Sequence, residues 1–174
     1  MTHSVVHSPL DRLLAIAIVL LVAVAVVIVA ATLPELPPVV ATHFGFSGAA
    51  NGWMSHRGYS MLIVPFTIGF PLAIWVMVAL VPRRFPRLAK IPNRDAWLAP
   101  PQREDTLARL DTYARIQALA GVLLALGLHA LVIAKNVPSA GITVLGAAIV
   151  LLAVAVLVLL VAAIAMKRAF RRPP

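Results

Sequence analysis

The stretch LLAIAIVLLVAVAVVIVAA, residues 13–31, runs for nineteen residues without a charged or polar side chain. An α-helix rises ~1.5 Å per residue, so about twenty apolar residues cross the ~30 Å of hydrocarbon in a bilayer. A secretory leader has an apolar core of only ~7–15 residues, so this stretch reads as a retained anchor. Outward from it, three more windows lack any charge: Gly58–Pro82, Ile116–Ala134 and Asn136–Met166. A composition of 61% hydrophobic and 12% charged residues, with a mean hydropathy of +0.97, lies outside the soluble globular range. The expected fold is an all-α membrane protein with four transmembrane helices over about 13–33, 58–82, 112–134 and 141–166. No internal repeat or linker divides residues 1–174, which read as one integral membrane domain. Residues 1–12, with His3 and His7, read as a short cytoplasmic lead.

The formal net charge is +9, and its placement matters more than its size. Arg83, Arg84, Arg87, Lys90, Arg94, Arg103, Arg109 and Arg115 lie between the second and third windows, and Lys167, Arg168, Arg171 and Arg172 follow the fourth. The segment 41–57 carries only Arg57, and the third link only Lys135. Basic residues concentrate on the cytoplasmic side of short loops, so both termini and the 83–115 loop are expected there. The partners implied are the bilayer and its anionic headgroups rather than nucleic acid. Cysteine is absent, which removes disulfides and thiolate metal sites.

Pro34, Pro37 and Pro38 end the first span, because proline removes backbone donors and favours extended neighbours. Residues 39–44, VVATHF, follow as an extended run. Gly45, Gly48 and the Asn51-Gly52 pair supply positions that tolerate positive φ. A compact extracytoplasmic loop, possibly a hairpin, is expected here, pinned at the interface by Phe44, Phe46, Trp53 and Tyr59. Pro65 and Pro71 predict a kink in the second span. A helix is expected to start near Pro100-Pro101, with Glu104 and Asp105 in its first turn and with i,i+4 pairs Asp105/Arg109 and Asp111/Arg115. It runs on into the third span. There Gln117, Gly121, Ala125 and His129 recur every four residues, a stripe suited to packing against other helices. The fourth span is expected to face mostly lipid.

Three histidines fall on the outer side of this topology. His43 and His56 lie in the loop, and His129 sits ~7–8 Å below the end of its span at ~1.5 Å per residue. With Glu35 they make a zinc-like donor set, but no HExxH or CxxC spacing accompanies them. The plainer reading is that His129 pairs across the bundle and His43 helps fold the loop. None of the six acids lies within a span, and no phosphate loop or nucleophile motif is present. No cofactor is therefore expected, and a transporter acting alone has too little polar lining.

The run LPELPPVVATHFGFSGAANGWMSH, residues 33–56, resembles the signature of a bacterial membrane domain of unknown function found in Sdp-type toxin-immunity proteins. Its pattern of prolines, then HF, G, an acid, W and K follows the first span. His43, Phe44, Gly48 and Trp53 match, with Pro34 and Pro38 upstream. Ala41 stands at a proline position, Asn51 at the acid and His56 at the lysine. IPNRDAWLAPPQRE, residues 91–104, also looks like a stretch in related proteins. The resemblance spans roughly residues 10–135. It implies a multi-span protein of the bacterial cytoplasmic membrane that protects against a secreted toxin and signals its presence. This chain is shorter than the immunity proteins, which have additional spans. The leading expectation is non-enzymatic: binding or sensing an extracytoplasmic peptide or envelope partner through His43, Phe44, Asn51, Gly52, Trp53, His56 and His129. The alternatives are a metal-dependent membrane enzyme using His43, His56 and His129, and an accessory subunit docked through Gln117, Gly121 and Ala125.

Overall fold

The computed structural model describes residues 9–45 and 47–172; His3, His7 and Phe46 lie outside them. Four helices are long and apolar enough to cross a membrane, spanning Pro9–Glu35, His56–Arg84, Arg103–Asn136 and Pro138–Ala169. Within them α1 is Pro9–Thr32, α2 is His56–Trp75, a short α3 is Val81–Arg84, α5 is Arg103–Asn136 and α6 is Gly141–Ala169. The strands β1 (Val39–Phe44) and β2 (Ala50–Ser55) lie between α1 and α2, and the one-turn α4 (Arg94–Trp97) precedes α5.

The helices overrun the apolar windows that announce them. Asp11, assigned to the lead, belongs to α1 and accepts a hydrogen bond from Thr112 Oγ1 at 2.8 Å. The helix expected to start near Pro100-Pro101 and run on into the third span is α5, which begins at Arg103 with Glu104 and Asp105 in its first turn, where carboxylates favour the positive end of the helix dipole. Pro65 and Pro71 both lie inside α2, yet the hydrogen-bond register leaves α geometry only beyond them, in a π-helical turn at Val76–Leu80. That turn packs on α5.

α5 is the hub. Its apolar window is 56% buried inside the protein, against 11–17% for the other three. Lipid is as apolar as leucine, so helices associate in a bilayer through close packing and polar pairing rather than by escaping water. α5 accordingly presents small residues on several sides: Ala114, Ala118, Ala120, Gly121 and Ala125 are all buried. α6 answers with a seam of Ala148, Ala155 and Ala162, its only buried residues, and turns Ile149, Val150, Leu157 and Leu160 outward. Two apolar clusters close the ends of the bundle. One joins Val29, Leu36, Val40, Tyr59, Ile63, Val132, Ile133 and Val137 beneath the hairpin. At the opposite, basic end, Ala89, Ile91, Leu98, Leu107 and Leu110 gather around Phe170, which is fully buried.

The 91–104 stretch builds that second end. Asn93 adopts a left-handed conformation, φ 52°, and donates through Nδ2 to Arg171 O at 2.7 Å. Trp97 donates to Phe170 O at 3.0 Å and meets its ring edge-on at 5.3 Å. The motif thus ties the loop between α3 and α5 to the end of α6. The Asp95 carboxyl is held below the usual carboxylate range by a hydrogen bond from Arg94, then by that residue's charge and, more weakly, by Arg87.

Candidate functional site

β1 and β2 form an antiparallel hairpin with Val39 opposite Ser55, Val40 opposite Met54 and Ala41 opposite Trp53. The strands are closed by Gly45 N–H donating to Ala49 O at 2.9 Å, and Gly48 takes φ 77°, which favours glycine. Asn51-Gly52 is therefore not the turn. Both residues lie within β2, after a shift in register at His43. Gly52 is required there for space instead: a Cβ on it would stand 3.0 Å from His43 Cβ. Ser55 ends the hairpin and caps α2, its Oγ accepting from Gly58 N–H at 3.1 Å.

The hairpin is bolted to α5. His56 N–H donates to Pro38 O at 2.9 Å, which makes that pair hydrogen-bonded. Antiparallel pairs alternate, so Val40 and Met54 face each other through their backbones while the backbone groups of Ala41 point away from β2. Asn136 meets them. Its Oδ1 accepts from Ala41 N–H at 2.8 Å and its Nδ2 donates to Ala41 O at 2.9 Å, with a further bond to Val132 O at 2.8 Å. A side-chain amide takes the place a third strand would occupy.

Below it, His129 is 1% exposed and joins three helices. Its Nε2 lies 2.7 Å from Thr32 Oγ1 and its Nδ1 2.9 Å from Tyr59 OH, with the Tyr59 ring stacked at 5.9 Å. Thr32 Oγ1 spends its own proton on Ile28 O at 2.7 Å. The consistent assignment is that Tyr59 O–H donates to Nδ1 and Nε2–H donates to Thr32 Oγ1. In this tautomer both ring nitrogens, the Tyr59 hydroxyl and the Thr32 hydroxyl are all paired.

The structure sorts the residues singled out from the sequence. Of the stripe, Gly121, Ala125 and His129 are buried, while Gln117 is half-buried with an Nε2 that finds no partner among the described residues. His43, Asn51 and Trp53 are exposed on the hairpin, Trp53 at 58%. Phe44 packs inward on the cluster beneath the hairpin and Tyr59 is buried at 4%, so neither serves as a surface anchor. His56 is half-buried at the start of α2, its carbonyl accepting from Ser60 Oγ at 2.9 Å. His43, His56 and His129 are not brought together, and among the described residues no three His, Asp or Glu side chains cluster in a way that could hold a metal.

A second polar centre escapes the sequence reading. Asp111 and Arg115 do pair, at 2.7 Å, but inside the bundle, with side chains 8% and 15% exposed. Trp75 Nε1 donates to Asp111 at 2.9 Å, and Arg115 also donates to Asp11 O at 3.2 Å. Asp105 and Arg109 do not pair; Arg109 lies over the Trp97 ring at 6.0 Å. Above Arg115 a cavity of about 500 Å³ opens between α1, α2 and α5, lined by Ala15, Val19, Ile68, Leu72 and other apolar side chains.

A family model described as a domain of unknown function (DUF1648) matches residues 20–69. The match takes in the end of α1, the whole hairpin and the first part of α2. No curated protein and no solved structure matches the chain.

Proposed function

We propose that this chain is a non-enzymatic protein of the bacterial cytoplasmic membrane, with both termini in the cytoplasm. Its hairpin reads an extracytoplasmic peptide or envelope partner, in the manner of an immunity or signalling protein. One observation carries the reading: the hairpin is braced along its β1 edge, by Asn136 on the Ala41 backbone, while the side chains of Val39, His43, Asn51 and Trp53 stay exposed. A loop that only connects two spans needs no such brace. A braced strand pair offers a fixed surface, and a fixed surface lowers the ordering cost of binding. Trp53 supplies the large aromatic area typical of an interaction hot spot. The resemblance to the Sdp-type immunity proteins includes two of these residues, His43 and Trp53, and the family match at residues 20–69 covers all four. Against the metal-enzyme alternative stands His129, whose two ring nitrogens are already engaged by Thr32 and Tyr59.

The test is a pull-down from native membranes with the intact chain and with His43→Ser/Trp53→Ser, which alters only exposed side chains. A partner that co-purifies with the first and is lost with the second, at equal melting temperature, supports the reading. Equal recovery by both, or stoichiometric zinc in the purified protein, sinks it.

A further inference from the structure

The strip Arg83-Arg84-Phe85-Pro86-Arg87-Leu88-Ala89-Lys90 follows the second span directly, and no acidic residue occurs anywhere between Glu35 and Asp95. Phe85 is 55% exposed and Leu88 61%, both large apolar side chains just beyond the end of α3 at Arg84. Arg83, Arg84, Arg87 and Lys90 are exposed beside them. Among the described residues none of the four lies within ion-pair distance of a carboxylate. The acids nearest in sequence, Asp95 and Glu104, are paired with Arg94 and Arg103 instead. Arg84 reaches over the Phe85 ring, 5.7 Å from its centre.

The strip is also held in shape. Arg103 donates to Arg83 O at 3.1 Å, and Arg94 donates to Arg87 O. Pro82, just before it, and Ala89, within it, are buried. Phe85 O and Pro86 O accept from the Leu88 and Ala89 N–H groups. With these four carbonyls engaged, the four cationic side chains and the two apolar ones stay exposed on a fixed base.

Exposed cations interleaved with exposed apolar side chains at a membrane boundary have one complementary surface, a negatively charged headgroup layer above acyl chains. We infer that residues 83–90 form a binding site for anionic phospholipid of the protein's own bilayer. The three arginines and Lys90 would engage the phosphate, with Phe85 and Leu88 reaching the acyl boundary. The inference does not depend on what the hairpin recognises or on which leaflet holds the strip.

The experiment uses the full chain purified in neutral detergent and titrated with phosphatidylglycerol or phosphatidylcholine. Bound lipid is read by native mass spectrometry and stability by the melting temperature. Phosphatidylglycerol should be preferred. Each basic residue near such a surface contributes about fivefold in affinity, the equivalent of ~1 kcal/mol. Arg87→Gln/Lys90→Gln should therefore reduce the preference by more than tenfold, and adding Arg83→Gln/Arg84→Gln should abolish it. Phe85→Ser/Leu88→Ser should weaken both lipids, and glycerol phosphate, which lacks chains, should not compete at equal concentration. Arg57→Gln/Lys135→Gln removes the same charge at the opposite, hairpin end of the bundle and should leave the preference intact. If that control loses the preference as fully as Arg87→Gln/Lys90→Gln, net charge is responsible and the inference fails. It fails too if Arg87→Gln/Lys90→Gln binds phosphatidylglycerol like the unchanged chain.

Discussion

A carboxamide near the end of an apolar helix is costly to bury unless each of its polar groups finds a partner. Asn136 finds three, two of them on the single residue Ala41. Asn136→Ala would leave the Ala41 N–H and C=O unpaired beneath the hairpin, at about 1–3 kcal/mol for the stranded groups. The expected outcome is a lower melting temperature and faster proteolysis at residues 45–49, with helix content unchanged. Asn51→Ala, on the exposed side of β2, should alter neither. Proteolysis rates of the two variants in detergent decide it; equal rates would mean the brace carries no weight. His129 was legible in the sequence as a polar group that must pair within the bundle, because its position in an apolar run leaves few other choices. Asn136 was not, since an asparagine at a span boundary looks equally at home in water. Tyr59 deceived in the opposite way: an aromatic beside a span suits the interface, and only the position of His129 shows why it turns inward.

At the level of elements, three positions of the four-residue recurrence on the third span, Gly121, Ala125 and His129, are buried, on a helix that packs on several sides. Gly121 faces α2: a Cβ there would stand 2.9 Å from Ile74 Cδ1 and 3.5 Å from Pro71 Cα. The tip of an isoleucine can rotate aside, whereas the proline backbone behind it cannot. Gly121→Ala should therefore be nearly neutral. Gly121→Leu should lower stability by about 1–3 kcal/mol, the usual cost of overpacking. Thermal melts in detergent compare the two, and a leucine variant as stable as the alanine one would show that α2 does not press on this face. Elements outside the spans were harder to read, because their shape depends on single hydrogen bonds rather than on periodicity. A hairpin is one of the forms expected of the loop, with Gly45, Gly48 and Asn51-Gly52 all candidates for positive φ and Asn51-Gly52 the pair with the composition of a tight hairpin turn. The turn instead uses Gly48, and Gly52 serves the close approach of His43. Composition cannot distinguish a glycine needed for φ from one needed for space.

For the whole molecule, the sequence carries the number of spans through hydropathy and their orientation only through the distribution of charge. The hairpin end holds Arg57 and Lys135, while the opposite end gathers twelve Lys and Arg residues from the 83–115 stretch and from Lys167 onward. Translocating those residues would oppose the positive-inside bias at every step, so the basic end is expected to remain in the cytoplasm. The structure shows where to test this without disturbing the charges that set it. Ser47 and Ser139 are exposed at the hairpin end, and Ala96 is exposed on α4 at the other. None is charged, and the chain has no cysteine of its own, so each single cysteine reports alone. Ser47→Cys and Ser139→Cys should react with a membrane-impermeant maleimide added to intact spheroplasts. Ala96→Cys should react only after the membrane is opened. Labelling of Ala96→Cys from outside would reverse the orientation, place the hairpin in the cytoplasm and remove extracytoplasmic ligands from consideration. The phospholipid site at residues 83–90 would survive that result, since it requires only a bilayer surface beside it. The two proposals therefore stand or fall on separate measurements.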